Sequence, residues 1–273
     1  MSAPADDTVT LQAAADRLGV HYMTAYRYVR LGLLPAEKVG STWRVLAADV
    51  EAMRKGPPRT GGRRQPAPWA ERLRARLLVA DEAGAWGVVE AALTAGTDPV
   101  EIHLDVLAPA MREVGELWAR GEIDVAEEHR ASVVATRLIG RLSPRFNRRG
   151  RSRGCVVVGC PPGERHGLPS LLVADVVRNA GWSVVDLGAD VPLASFVHAV
   201  QKEGSLAAVA VSVTWEGSIR SAAETVDRLG DAVSVPILVG GRAAVLANGE
   251  LAGAAAVAAD ARGACEALES LLR

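Results

Sequence analysis

Only three cysteines, Cys155, Cys160 and Cys265, occur in 273 residues. They are too few and too irregularly spaced for a disulfide scaffold or a cysteine-built zinc site. Long apolar runs are missing as well: glycines and charges break each one before it reaches membrane-spanning length. No signal peptide precedes the first helical pattern, so the expectation is a cytoplasmic protein without a membrane partner. Neither a P-loop nor a Gly-x-Gly-x-x-Gly fingerprint opens a helix, which excludes those nucleotide sites. There is no large net charge either, with 31 Lys and Arg against 32 Asp and Glu. That balance hides an asymmetry. Residues 1–68 carry a net +4 and the remainder a net −5, so the N-terminal end is the better candidate to meet a polyanion.

Three regions follow from pattern. In "TLQAAADRLG", Leu11, Ala14, Ala15 and Leu18 share a helical stripe, with Thr10 as cap and Gly19 as stop. "VHYMTAYRYVRLG" repeats the period, and Val39 with 43–45 reads as a small wing about a turn at Gly40 and Ser41. Residues 1–55 are thus expected to form a winged helix-turn-helix domain. Residues 56–68, "GPPRTGGRRQPAP", read as a linker. Residues 69–146 read as a four-helix bundle. Its third helix bends at Pro109 and uses Ile102, Val106, Ala110, Val114 and Leu117 as its apolar side. "SPRFNRRGRSRG" reads as a second linker. From Cys155, "CVVVGC", "SVVDLG", "AAVAVSV", "PILVGG" and "GAAAVA" alternate with helical segments. Residues 147–273 are therefore expected to form a flavodoxin-like α/β domain with a parallel sheet of five strands.

In such a sheet, ligands bind beyond the carboxyl ends of the strands. Four segments converge there: "GCPPGERHGLPSLL", "LGADVP" with Gly188 and Ala189, "SVTWEG" with Trp215, and "GGR" with Gly240 and Gly241. Imidazole is a sound ligand for cobalt, iron or zinc. A single loop histidine, His166, makes no complete protein site, so the metal would arrive inside a cofactor. Glu164 would accept from the other ring nitrogen and fix the tautomer. The residues alone leave open a solvent-exposed turn histidine. In the bundle, Val125, His129, Ser132 and Thr136 fall near one helical face after Trp118 and Glu128. A cofactor pocket would use them, but the residues alone favour Trp118 as a core anchor and a solvated or core-bonded His129. His103 and His198 read as surface helix residues. In the N-terminal region, His21, Tyr22, Thr24, Arg27 and Arg30 suit contact with bases and phosphates, and Lys38, Thr42 and Arg44 suit the backbone from the wing. A solvated basic face is the alternative.

Residues 10–54 resemble the winged helix-turn-helix of excisionase and MerR-type regulators, and residues 69–273 resemble the cobalamin-binding half of CarH-type light-responsive repressors. That family's signature, Asp-x-His-x-x-Gly or its Glu variant, stands here as Glu164-Arg165-His166-Gly167-Leu168-Pro169, with Pro169 departing from the usual glycine. The resemblance implies His166 as lower cobalt ligand, with Ser212, Thr214, Gly240 and Gly241 beside the cobalamin nucleotide tail. The family also carries a Trp ten positions before a Glu-His pair, as Trp118, Glu128 and His129 stand here. It implies that Trp118 and Glu128 position an adenosyl group and that His129 reaches cobalt after light.

The leading expectation is accordingly an adenosylcobalamin-binding, light-responsive transcriptional regulator, a repressor in the resembled family. It would bind double-stranded operator DNA as a homo-oligomer, dimer or tetramer, without enzymatic activity. The rivals are a corrinoid methyl carrier and a regulator that senses a ligand without light or holds an additional tetrapyrrole.

Overall fold

A computed structural model describes residues 8–30, 34–40, 42–54, 68–148, 150–247 and 249–272; the side chains of Arg27, Arg30, Ala52 and Arg54 lie outside that description. Residues 1–65 and 66–273 form two compact units. Among the described residues no helix is long and apolar enough to cross a membrane.

The first unit holds β1 (Thr8–Thr10), α1 (Leu11–Leu18), α2 (Tyr22–Arg30), β2 (Ala36–Val39), β3 (Thr42–Leu46) and α3 (Ala47–Arg54). The Thr10 hydroxyl accepts from the Ala13 N–H and starts α1, while Gly19 closes it. The wing has one strand more than the sequence suggests. Antiparallel β1 pairs with β3, giving the order β1-β3-β2. Three residues are too short a run to show alternation. Leu11, Ala14, Ala15, Ala25, Leu34, Val45 and Val50 form the core.

The second unit begins with a bundle. It comprises α4 (Trp69–Leu78), α5 (Glu82–Thr94), α6 (Pro99–Glu101), a π-helical segment Ile102–Leu107, α7 (Ala108–Ala119) and α8 (Val125–Leu142). Asp98 and Glu101 form a capping box on α6, as Asp124 and Glu127 do on α8. The irregularity in the third helix is a wider π turn, Ile102–Leu107, just before Pro109. There the Ala108 N–H donates to the His103 carbonyl, and Pro109 has no N–H to continue the regular ladder.

A sheet domain follows: β4 (Cys155–Gly159), α9 (Leu168–Asn179), β5 (Ser183–Asp186), α10 (Leu193–Lys202), β6 (Leu206–Ser212), α11 (Ile219–Ala232), β7 (Ile237–Gly240), α12 (Arg242–Leu246), β8 (Ala256–Ala258) and α13 (Ala261–Leu271). The five parallel strands are ordered β5-β4-β6-β7-β8, the flavodoxin-like arrangement. The central strands are buried on both faces, which is why they read as continuous Val and Ala runs.

The bundle and the sheet domain are not joined by a bare linker. Ser143–Phe146 is a 3-10 turn, and Phe146 is fully buried in the bundle core together with Leu172 of α9. The surface assignment of His103 is also corrected. Its ring is fully buried against Phe146, with centroids 4.5 Å apart, and its Nε2 lies 3.0 Å from Asp175 Oδ2. Asp175 also accepts from the Ser143 hydroxyl at 2.7 Å and from Arg178 at 2.9 Å. Burial opposes the charge of Asp175, but His103, Ser143 and Arg178 outweigh it and hold the carboxyl below the usual range. Its stabilising contribution is therefore complete above about pH 4 and lost as pH falls through the lower folded value. Asp175→Asn should cost about 3 kcal/mol at neutral pH. It should also flatten the acid limb of a stability–pH curve followed by urea unfolding.

Candidate functional site

The loops after β4, β5, β6 and β7 meet at the carboxyl end of the sheet, and Glu164 binds the first of them to the third. Its side chain is fully buried. One carboxylate oxygen accepts from the backbone N–H groups of Thr214 at 2.7 Å and Trp215 at 2.8 Å. The other accepts from the His166 backbone N–H at 3.0 Å and lies 2.5 Å from His166 Nδ1. The loop after β5 joins through Asp190, whose N–H donates to the Glu164 carbonyl while its carboxylate accepts from the Gly163 N–H.

Burial opposes charge on Glu164, but the His166 ring and the Trp215, His166 and Thr214 N–H groups hold its carboxyl below the usual range. His166 is raised, chiefly by its bond to Glu164, and Glu128 of the bundle adds to the effect through space. The imidazole is 54% exposed. With Nδ1 committed to Glu164, Nε2 is the nitrogen left to ligate.

Cys160, which sequence reasoning left without a role, directly follows β4 and is fully buried. Burial pushes its thiol up to about 11, with the Ser170 and Ser212 hydroxyls beside it. Burial thus favours its protonated form. Asp190 was missed too; the only sequence trace of it was the turn "GAD".

Other expected site residues take several positions. Ser212 is buried, and the Thr214 hydroxyl is buried without a hydrogen-bond partner among the described residues. Trp215 is exposed, its indole lying over Gly217, where a Cβ would sit 2.5 Å from the ring. Arg165 and Ala189 are exposed, and Gly188 donates to Asp186 Oδ1. Gly167 backs onto Ala189, and Gly240 ends β7 beside Gly241. Leu168 instead packs against the bundle core, where an apolar side chain gains more than at an open rim.

On the bundle, Trp118 and Val125 are exposed. Glu128 is bonded to His129 Nδ1 at 2.8 Å and to the Ser132 hydroxyl at 2.7 Å. His129 does not face inward. It is exposed and lines a groove with Ala80, Glu82, Arg130 and Val133. In the N-terminal unit His21, Thr24, Lys38, Thr42 and Arg44 are at least partly exposed, but Tyr22 packs on the core. The aromatic ring is worth more buried in a domain this small than in water. The side chains of Arg27 and Arg30 lie outside the described residues.

These residues fit a corrinoid. One imidazole nitrogen, Nε2, is left exposed while Nδ1 is engaged by Glu164. An orphaned hydroxyl and close-packed glycines line the strand ends beside it. Among the described residues, no group of three or more His, Cys, Asp or Glu could hold a bare ion.

Residues 69–143 and 154–269 each match a family model described as a B12 binding domain, and residues 8–56 match one described as a helix-turn-helix domain. The chain joins a helix-turn-helix domain to B12-binding domains. Over 121 residues it is 36% identical to trimethylamine corrinoid protein 1 of Methanosarcina acetivorans, covering 43% of this chain and 56% of that protein. Over 180 residues it is 27% identical to dimethylamine corrinoid protein 1 of Methanosarcina mazei, covering 64% and 83%. The chain thus spans just over half the length of the trimethylamine corrinoid proteins it matches. The structure of the Methanosarcina barkeri monomethylamine corrinoid protein has the same fold, with a TM-score of 0.64 at 23% identity over 75% of this chain and 97% of that one.

The B12-binding domains therefore stand with corrinoid binding, as expected. The expectation of a light-responsive transcriptional regulator is overturned, because these relatives are methylamine corrinoid proteins. The reading as photoreceptor and repressor falls with it.

Proposed function

We propose that the B12-binding domains carry a one-carbon group on a corrinoid held from below by His166. The observation that carries this reading is the Glu164–His166 pair: a fully buried carboxylate with four donors commits Nδ1 and leaves Nε2 to ligate. A corrinoid held there would supply the cobalt chemistry needed for methyl carriage. His166 orients that centre, and Glu164 holds the ring proton on Nδ1 so that Nε2 keeps its lone pair. Trp118, Val125, Glu128 and Ser132 of the bundle, and Thr214, Trp215, Gly240 and Gly241 at the strand ends, would hold the rest of the cofactor. Methyl transfer is supported by likeness to methylamine corrinoid proteins over part of their length. Enzymatic activity is not part of this reading.

His166→Ala should weaken cobalamin binding at least tenfold, about 1.4 kcal/mol, and shift the bound absorption spectrum toward that of the water-ligated or base-on cofactor. Added imidazole should restore the wild-type spectrum. Reduced, cobalamin-loaded wild type should take up a methyl group from methyl iodide and give it up to a thiolate. Unchanged affinity and spectrum in the variant would reject the ligand; a loaded protein that cannot be methylated would reject the carrier.

We also propose that residues 8–54 contact duplex DNA through His21 and Thr24 of α2 and through Lys38, Thr42 and Arg44 of the wing. Support comes from the helix-turn-helix match and from the exposure of these side chains. Lys38→Ala with Arg44→Ala should reduce the slope of log affinity on log salt by about 2, as two phosphate contacts are lost.

A further inference from the structure

We propose that the arginine-rich segment 141–153, between the bundle and the sheet, is a second nucleic-acid contact, separate from the helix-turn-helix domain and from the corrinoid site. Its sequence holds six arginines, of which Arg149 lies outside the described residues, and no Asp or Glu, although residues 69–273 carry a net −5. A run of like charges this dense repels itself and commonly stays unfolded unless something holds it. Here both ends are held. Arg141 lies over the Trp86 ring at 3.8 Å, and Phe146 is buried in the bundle core. At the far end Arg153 stacks on Trp182 at 4.4 Å and pairs with Glu269, and the Ser152 hydroxyl bonds Gly154 and Ser183.

Structure consumes Arg141 and Arg153 in these contacts. Arg145, Arg148 and Arg151 are left exposed, with no carboxylate partner among the described residues. The neighbouring acids are already engaged: Asp175 by His103, Ser143 and Arg178, Glu269 by Arg153, and Glu203 by Ser205. Among the described residues these three exposed guanidinium groups therefore have no compensating carboxylate, and each suits a phosphate better than an ammonium would. From 145 to 151 the chain spans at most about 20 Å, the length of about six phosphates per strand at 3.4 Å each.

The partner fitted is a nucleic acid rather than a lipid surface. Leu142 and Phe146 are both buried, so the segment offers no large apolar side chain to enter a bilayer. It also leads into the amino end of β4, whereas His166 follows the carboxyl end, about 16 Å along the strand. A polyanion bound there leaves the corrinoid face open.

The test uses the full, cobalamin-loaded chain, a random-sequence 30-base-pair duplex and a salt series. Arg145→Gln, Arg148→Gln and Arg151→Gln together should reduce the slope of log affinity on log salt by about 2.7, for three phosphate contacts, and leave cobalamin affinity unchanged. An unchanged slope overturns the proposal. So does a wild type that fails to bind the duplex, or a triple variant that loses binding to phosphatidylserine vesicles but not to DNA. The Lys38→Ala and Arg44→Ala variant separates the two surfaces. If its slope stays at the wild-type value while that of the triple variant falls, the assignment of residues 8–54 fails and this one stands.

Discussion

Glu164→Ala should both destabilise the sheet domain and disable the corrinoid site. The substitution strips four donors of their acceptor: three backbone N–H groups and the His166 ring. A buried donor left without a partner costs about 1–3 kcal/mol, and the methyl group of alanine is too small to exclude or replace water there. A loss of about 4 kcal/mol in urea unfolding is expected, since water reaches part of this loop. Loss of the group that orients a metal-ligating histidine typically lowers metal affinity 10–100-fold, and a cobalamin titration should show a loss in that range. Glu164→Gln should rescue little, because its amide NH2 would face donors. The pH dependence has two limits. Glu164 is depressed, so its contribution is complete above about pH 4.3 and lost below. His166 is raised, so its contribution is complete below about pH 6.5 and lost as pH rises through its folded value. In the protein without cobalamin, the pair therefore stabilises most between those two limits.

Gly241→Val should be worse tolerated still. Gly241 begins the loop after β7 at φ 110°, a conformation that L side chains rarely adopt. A Cβ there would sit 2.2 Å from the Val213 carbonyl oxygen and 2.9 Å from its carbon. Both are backbone atoms of the loop after β6, so relief requires moving the loop that Glu164 holds. The strained backbone and the clash together are expected to cost about 4–5 kcal/mol. That corresponds to a melting point lower by about 10 °C or more, or to insoluble protein. Gly204→Ala is the control, because no atom lies within 4 Å of its added Cβ. A Gly241→Val protein as stable as that control would show that the β6 and β7 loops are not packed as described.

What the sequence made legible was periodicity. The alternating strand and helix pattern after Cys155 revealed the five-stranded sheet because parallel strands buried on both faces read as unbroken Val and Ala runs. Thr10 and Gly19 marked α1 because caps are local chemistry. The two-residue spacing of Glu164 and His166 made their mutual contact readable for the same reason. What remained hidden was long-range. Nothing in "ERH" shows that Glu164 also accepts from residues 50 positions away. Nothing near His103 shows its pairing with Asp175, 72 residues on. A histidine in a helix with mixed neighbours reads as surface until the opposing element is known. The segment from Ser143 read as a linker because proline and arginine outweigh a single Phe146 in composition, although that ring fastens the segment to the bundle core. The light-sensor reading rested on Trp118, Glu128 and His129 at family spacing. The spacing is real, but His129 lines an outer groove, and the relatives are methylamine corrinoid proteins.

The central claim, that His166 Nε2 is the lower ligand of cobalt, is tested most directly by electron paramagnetic resonance of the protein loaded with cobalamin in its cobalt(II) state. The protein should be made with 15N-labelled histidine and the cobalamin left unlabelled. Ligation by His166 predicts that the nitrogen splitting changes from a triplet to a doublet on labelling and that the doublet disappears in His166→Ala. A triplet that persists in the labelled protein would place the cofactor's own base on the cobalt and contradict the account.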